Sequence, residues 1–302
     1  MYDVSLANAY FPAQEDADIR HTTIGGLLRE IARGSPHAPA LVEVTQSGCV
    51  DRRWSYGDLL RDSERLAQAL ASRFSQGERV VVWAPNSPEW VLMEYACALA
   101  GLILVTANPA FQVKELRYVL EHSDAVALFT VGEFRGNPMA RIANEAARGL
   151  SGIREIVDLN DEMALFRMAR DAFELPLVSP VDAAQIQYTS GTTGFPKGAV
   201  LSHFGLVNNA RFYAERCGVS ASSTWFNIMP LFHTAGCGMV TLGCLQAGCA
   251  MVLVSLFDPR VINGLIETEK VSLILGVPTM VIALQDAYES SPVDVSSLRL
   301  VS

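Results

Sequence analysis

Apolar positions along the chain switch repeatedly between a helical and a strand period. Leu59, Leu60, Ser63, Leu66, Ala67, Leu70 and Phe74 fall on one helical face. Ser55 stands ahead of them as an N-cap, with Asp58 three residues on, a variant of the capping box. The run R-V-V-V-W-A at 79–84 predicts a short buried strand. Ser87-Pro88-Glu89 then supplies a cap, a first-turn proline and an acid at the positive end of a helix that runs to about Ala100 and stops at Gly101. The same reasoning predicts strands at 103–106 and 125–130 around a helix at 112–123. Residues 135–179 are less regular, with helices near 138–148 and 162–172, a strand at 153–157, and Pro176 and Pro180 marking a linker. After Asp182 the spacing predicts strands at 184–189, 226–229, 250–255 and 272–276. Helices are predicted at 203–217, 236–247, 259–269 and 278–288, with Asp258-Pro259 as cap and first turn.

Short apolar strands separated by helices of ten to fifteen residues imply an α/β protein with two doubly wound, mostly parallel sheets and flanking helices, layered αβαβα. The linker signal divides it into a first subdomain, 1–180, and a second, 181–302. Leu298–Ser302 reads as a strand just starting, so the chain is expected to stop inside a larger fold.

Composition narrows the function. Half of the 302 residues are hydrophobic and 18% are charged, as in packed globular proteins. Against 23 basic residues stand 32 acidic ones, a net charge of −9, which argues against a nucleic-acid partner but leaves room for a small anion held by backbone amides and one lysine. None of the six cysteines forms a C-x-x-C pair, and no histidines cluster at metal-ligand spacing. Cys97, Cys237, Cys244 and Cys249 lie in apolar runs and read as buried free thiols of a reducing compartment rather than nucleophiles. With no secretory signal at the N-terminus, a cytoplasmic location is expected. The 24 uncharged positions 234–257 are long enough to cross a membrane. Four glycines and Gln246 interrupt them, so they predict a helix, a stop at Gly248 and a strand, not a transmembrane span.

One segment concentrates chemistry. Residues 188–203 read Y-T-S-G-T-T-G-F-P-K-G-A-V-L-S-H, with a predicted strand leading in and a helix following soon after. Glycines let backbone N–H groups curl toward an anion, hydroxyls add donors, and Lys197 adds charge, which together suit a polyphosphate. The P-loop of nucleoside triphosphatases requires Gly-Lys followed by Ser or Thr, whereas here Pro196 precedes Lys197 and Gly198 follows it.

T-S-G-T-T-G-F-P-K-G at 189–198 resembles the signature loop of the adenylate-forming superfamily, which includes acyl-CoA and aryl-CoA synthetases, peptide-synthetase adenylation domains and firefly luciferase. W-S-Y-G-D-L at 54–59, A-P-N-S-P-E-W at 84–90, M-P-L-F-H-T-A-G at 229–236 and L-G-V-P-T-M at 275–280 are similar to family segments in the same order. A-L-A-G-L-I-L-V-T-A-N-P at 98–109 is more like acyl-CoA ligases than peptide-synthetase domains.

The resemblance implies that ATP and a carboxylic acid form an acyl-adenylate and pyrophosphate, after which coenzyme A takes the acyl group. It assigns Thr189, Ser190, Gly191, Thr192, Thr193, Gly194 and Lys197 to the β- and γ-phosphates. It sets His233 beside the substrate carboxylate and acyl pocket in a steric or hydrogen-bonding role; the alternative is a histidine that only caps its turn. Gly276, Val277, Pro278 and Thr279 are candidates for the acyl channel, since open α/β sheets bind ligands at strand C-terminal ends, or else form only a strand-to-helix turn. Trp90 and Trp225 are assigned to packing, and His21, His37, His122 and His203 to the surface or turns. The family's adenine and magnesium segment (Tyr-Gly-x-Thr-Glu), its ribose segment (Thr-Gly-Asp), its β-barrel and its C-terminal domain with the catalytic lysine have no counterpart in these residues. Catalytic residues are therefore unassigned, and the isolated chain is expected to be inactive. The implied partners are ATP with Mg2+, coenzyme A and a medium- or long-chain fatty acid, with an aryl-CoA ligase or a non-catalytic nucleotide-binding protein as alternatives. Oligomeric state, including a homodimer, stays open.

Overall fold

A computed structural model describes residues 18–45, 47–167, 174–189 and 196–302. The chain enters through α1 (Ile24–Gly34), whose first turn is capped by the Thr23 hydroxyl accepting from the Gly26 N–H, and continues into β1 (Pro39–Val44) and β2 (Val50–Ser55). Ser55 and Asp58 form the reciprocal capping box of α2 (Tyr56–Ala71). β3 (Arg79–Trp83) leads through the Ser87 cap into α3 (Pro88–Ala100), which Gly101 ends in the left-handed conformation. Then come β4 (Ile103–Thr106), α4 (Val113–His122), β5 (Ala125–Thr130), α5 (Met139–Ala147), β6 (Glu155–Asp158) and a single turn, α6 (Glu162–Leu165). A hairpin of β7 (Ala183–Thr189) and β8 (Lys197–Ser202) precedes α7 (His203–Arg216) and β9 (Thr224–Asn227). A π-helical segment, Ala235–Thr241, runs into α8 (Leu242–Ala247); Gly248 stops it in the left-handed region before β10 (Ala250–Val254). The expected helix, stop and strand over 234–257 is therefore present, and among the described residues no helix is long and apolar enough to cross a membrane. Asp258 caps α9 (Pro259–Thr268), followed by β11 (Leu273–Ile274), α10 (Pro278–Ser290) and β12 (Leu300–Val301).

The strands form two six-stranded sheets, ordered β6-β5-β3-β4-β7-β8 and β12-β11-β9-β10-β1-β2. Both are parallel except at one edge, where β8 and β2 pair antiparallel with β7 and β1. The expected α/β fold is thus the one observed, but the sheets do not follow a cut at residue 180. β7 and β8 complete the first sheet, with Leu104 opposite Gln185, while β1 and β2 join the second, with Leu41 opposite Met251. The reason is that a parallel ladder brings together strands distant in sequence, so a proline-marked linker says nothing about partners.

Side-chain alternation along the second sheet separates two cores. Leu41, Trp225, Met251, Leu253 and Leu273 face the large core shared with the first sheet. Val42, Val44, Phe226, Val252, Val254 and Ile274 face a smaller core covered by Ile262, Leu265 and Ile266 of α9 and Leu284 of α10. Between the sheets α3 is buried all round, the state expected of a helix with apolar residues on every face. Trp90 and Trp225 are buried as expected.

Candidate functional site

The phosphate-loop segment is closed by the β7–β8 ladder, in which Tyr188 pairs with Gly198 and Thr189 with Lys197. Ser190, Gly191, Thr192, Thr193 and Gly194 lie outside the described residues. The strands bring the two ends of the loop, Thr189 and Lys197, face to face. Both are exposed, and among the described residues no carboxylate pairs with the Lys197 ammonium. The base of the hairpin is braced by α4. The Tyr118 hydroxyl donates to the Pro196 carbonyl at 3.0 Å, and His122 Nδ1 lies 3.0 Å from the Tyr188 hydroxyl. The Tyr118 and His122 rings stack with centroids 5.1 Å apart. Gly198 admits this packing, since a Cβ there would come within 2.9 Å of Ile186 and 3.4 Å of the Tyr188 ring. Burial, helped by Tyr118, pushes the Tyr188 hydroxyl up to about 12, so it stays protonated.

His122 lies at the surface as expected, with Tyr118 and Tyr188 as partners, and one histidine departs from expectation. His203, expected at the surface or in a turn, is fully buried at the start of α7, where Nδ1 accepts from the Ile24 N–H at 3.4 Å. Burial lowers its pKa to about 4, so it is a neutral core histidine.

The second piece is the turn after β9. His233 is exposed, and its Nδ1 accepts from the Ala235 N–H at 3.1 Å, which leaves the proton on Nε2. The histidine therefore does cap its own turn while presenting an N–H donor outward. Asn86, in the turn after β3, ties this segment to the first sheet. Its Nδ2 donates to the carbonyls of Met229 (3.0 Å) and Val254 (3.2 Å), and its Oδ1 accepts from the Leu231 N–H at 2.8 Å. The helix beyond is π rather than α. The Gly236 carbonyl accepts from Asn227 Nδ2 and the Thr241 hydroxyl, and a Cβ on Gly236 would sit 2.3 Å from the Pro230 carbonyl. Only glycine permits that approach, and π segments are frequent beside functional sites.

The third piece, Gly276–Thr279, follows β11. Gly276 lies beside Ile228, two residues ahead of Pro230, because β11 pairs with β9 through Ile274 and Phe226. Val277, Pro278 and Thr279 are exposed at the start of α10. The structure thus sets all three pieces at the C-terminal ends of parallel strands, the usual binding edge of open α/β sheets.

A buried polar chain links the first two. Gln187, two residues before Thr189, donates through Nε2 to Gln185 Oε1 (3.0 Å) and the Cys237 thiol (3.2 Å), while its Oε1 accepts from the Thr106 hydroxyl (3.2 Å). Gln185 donates in turn to Glu94 Oε1 of α3 at 2.7 Å. Burial raises the Glu94 carboxyl to about 8, only partly offset by the Gln185 bond, so the chain is neutral at pH 7. Cys97, Cys237, Cys244 and Cys249 are buried, and Cys237 is pushed well above the ordinary thiol value, as expected of core thiols. The sequence reading missed Asn86, Glu94, Gln185 and Gln187. The available signal was polar residues set in apolar runs.

A separate cleft of about 740 Å³ opens beside Asn86. It holds none of the residues nominated from the sequence, and its Arg52 is already paired with Glu43 and Glu89.

The family described as AMP-binding enzyme matches residues 28–302. A feruloyl-CoA synthase from Amycolatopsis is 34% identical over 93% of this chain and 54% of its own length. The human mitochondrial medium-chain acyl-CoA ligase ACSF2 is 31% identical over 91% of this chain and 50% of its own. Among solved structures, the inhibitor-bound N-terminal domain of FACL13 from Mycobacterium tuberculosis superposes with a TM-score of 0.81 at 25% identity, covering 92% of this chain and 69% of that one. The chain spans about half the length of the curated relatives it matches.

Proposed function

The chain belongs to the AMP-binding enzyme family, as a relative of acyl-CoA ligases, and on that premise we propose that the protein activates a carboxylic acid with ATP and passes the acyl group to coenzyme A. The observation that carries this reading is the hairpin. It pairs Thr189 with Lys197 across a loop of glycines and hydroxyls, and among the described residues no carboxylate pairs with the ammonium. Such a loop binds the leaving β- and γ-phosphates through Thr189, Ser190, Gly191, Thr192, Thr193, Gly194 and Lys197 and neutralises the charge that grows there as the acyl carboxylate attacks the α-phosphorus. The His233 Nε2–H faces outward as a donor for the carboxylate, and Gly276, Pro278 and Thr279 border the acyl chain. Magnesium accompanies ATP and offsets phosphate charge. Among the described residues no group of three or more His, Cys, Asp or Glu side chains forms a metal site, so the ion would be held largely by the phosphates it accompanies.

The preferred acid is a medium- or long-chain fatty acid. The apolar stretch 235–257 beside the His233 turn and the medium-chain ligase among the relatives support this. The feruloyl-CoA synthase favours an aromatic acid as the second reading. Buried free thiols support a reducing, cytoplasmic setting. The adenine, ribose and magnesium segments that the resemblance implies have no counterpart in these 302 residues, so the chain alone is expected not to complete adenylation. The test is carboxylate-dependent ATP–pyrophosphate exchange by the product of the full reading frame, with acids from acetate to palmitate and with benzoate and ferulate. Exchange with aliphatic acids is expected; exchange with aromatic acids alone would select the second reading, and none with any acid would overturn both.

A further inference from the structure

Gln187 points away from the exposed face of the hairpin, into the layer between the sheets, where its amide meets the Cys237 thiol one helical turn beyond His233. We propose that Gln187 is a positioning residue, transmitting the fixed geometry of the phosphate-loop strand to the His233 turn through Cys237; the inference rests on the functional reading above.

The two ends of this contact are held differently. β7 is laddered on both sides, by β4 and β8, so its backbone is set without help from side chains. The His233 turn belongs to no ladder. On the β3 side it hangs on Asn86, and from inside on Cys237, which Gln187 holds. The amide has one orientation open to it, because Oε1 takes the Thr106 hydroxyl and Nε2 serves both Gln185 and Cys237. The thiol is placed to relay this. Cys237 Sγ lies 3.5 Å from the carbonyl of His233, and the Cys237 N–H donates to that same carbonyl at 3.2 Å. Aliphatic side chains would fill this space without buried polar groups to satisfy. A neutral polar chain in which both Gln187 amide atoms are bonded specifies geometry instead of merely filling volume.

Because β7 is fixed by its ladders, losing the relay should move the His233 turn and leave the hairpin in place. The experiment is pyrophosphate exchange by the full-reading-frame protein, with KM measured separately for ATP and for the preferred acid. Cys237→Ala is expected to raise the acid KM about tenfold, the scale of one buried hydrogen bond, with the ATP KM changed less than about twofold. Cys237→Ser, which keeps an acceptor for Gln187 and a donor for His233, is expected to restore the acid KM to within about threefold. Gln187→Met, which also removes the bonds to Gln185 and Thr106, should likewise raise the acid KM more than the ATP KM, and the double variant should be no worse in acid KM than the worse single one, since both remove the shared Gln187–Cys237 contact. Equal behaviour of Cys237→Ser and Cys237→Ala, or parallel rises in both KM values, would overturn the proposal while leaving the functional reading intact. Absence of exchange in the unsubstituted protein would overturn that reading and this proposal with it.

Discussion

The hairpin that carries Lys197 and the turn that carries His233 each follow the C-terminal end of a parallel strand and are held by different means. The hairpin is shaped by main-chain pairing, Thr189 opposite Lys197 with β4 on the far side, and needs only a light brace from Tyr118, His122 and Tyr188. The turn is shaped by side chains and by one glycine: Asn86 bonds it directly, Gln187 reaches it only through Cys237, and Gly236 lets it fold back on Pro230. A ladder distributes its stabilisation over many bonds, so single substitutions barely touch it. A turn held by a few side chains concentrates its stabilisation and exposes it to single changes.

The sharpest way to break this contrast is Gly236→Ala. With a Cβ 2.3 Å from a backbone carbonyl, the turn and π-helix must shift. A loss of about 2–4 kcal/mol in urea-unfolding stability is expected, with the acid KM raised. Asn86→Ala comes next. It leaves the Met229 and Val254 carbonyls and the Leu231 N–H without their partner, and about 2–3 kcal/mol is expected to be lost in the same assay.

Glu94→Gln sharpens the comparison through pH. The carboxyl is raised by burial from 4.5 to about 8. Below the lower value both folded and unfolded chains hold the proton and no penalty arises. As pH rises from 4.5 to about 8 the unfolded chain releases its proton first, so native stability falls, and above pH 8 the loss is complete. Gln185 opposite is neutral, and burial with the Glu94 charge raises Tyr95, Cys97 and Cys237, which stay protonated through this window. Glutamine at 94 never ionises, so thermal unfolding should show its advantage over glutamate growing from pH 5 to pH 8, reaching the order of a few kcal/mol. The smallest effect is expected at the hairpin. Tyr118→Phe removes the bond to Pro196, and a loss of about 1 kcal/mol or less is expected, with any kinetic change confined to the ATP KM.

The same contrast separates what the sequence could reveal from what it could not. Local devices were legible: the Ser55–Asp58 capping box, the Ser87-Pro88 start, the stops at Gly101 and Gly248 and the Asp258-Pro259 cap are each written within a few residues. So was the loop at 189–198, because its chemistry is contiguous. β8 was not legible, since an exposed edge strand lacks the apolar alternation that marks a half-buried one. Sheet membership was hidden because Leu41 finds Met251, and Leu104 finds Gln185, far along the chain. The support of the His233 turn was hidden for the same reason: Gln187 and Cys237 are 50 residues apart, and Asn86 and Leu231 are 145. α1 carries a local signal of the same kind in Ile24, Leu27, Leu28 and Ile31 behind the Thr23 cap.

The claim that the hairpin grips the phosphates of ATP is tested most directly by Lys197→Ala in the full-reading-frame protein, followed by carboxylate-dependent ATP–pyrophosphate exchange. Lys197 is exposed and, among the described residues, its ammonium makes no ion pair, so the melting temperature should hold while exchange falls by about a hundredfold or more, the scale for removing one charge-stabilising group. Exchange at the unsubstituted rate, with folding equally intact, would contradict the account.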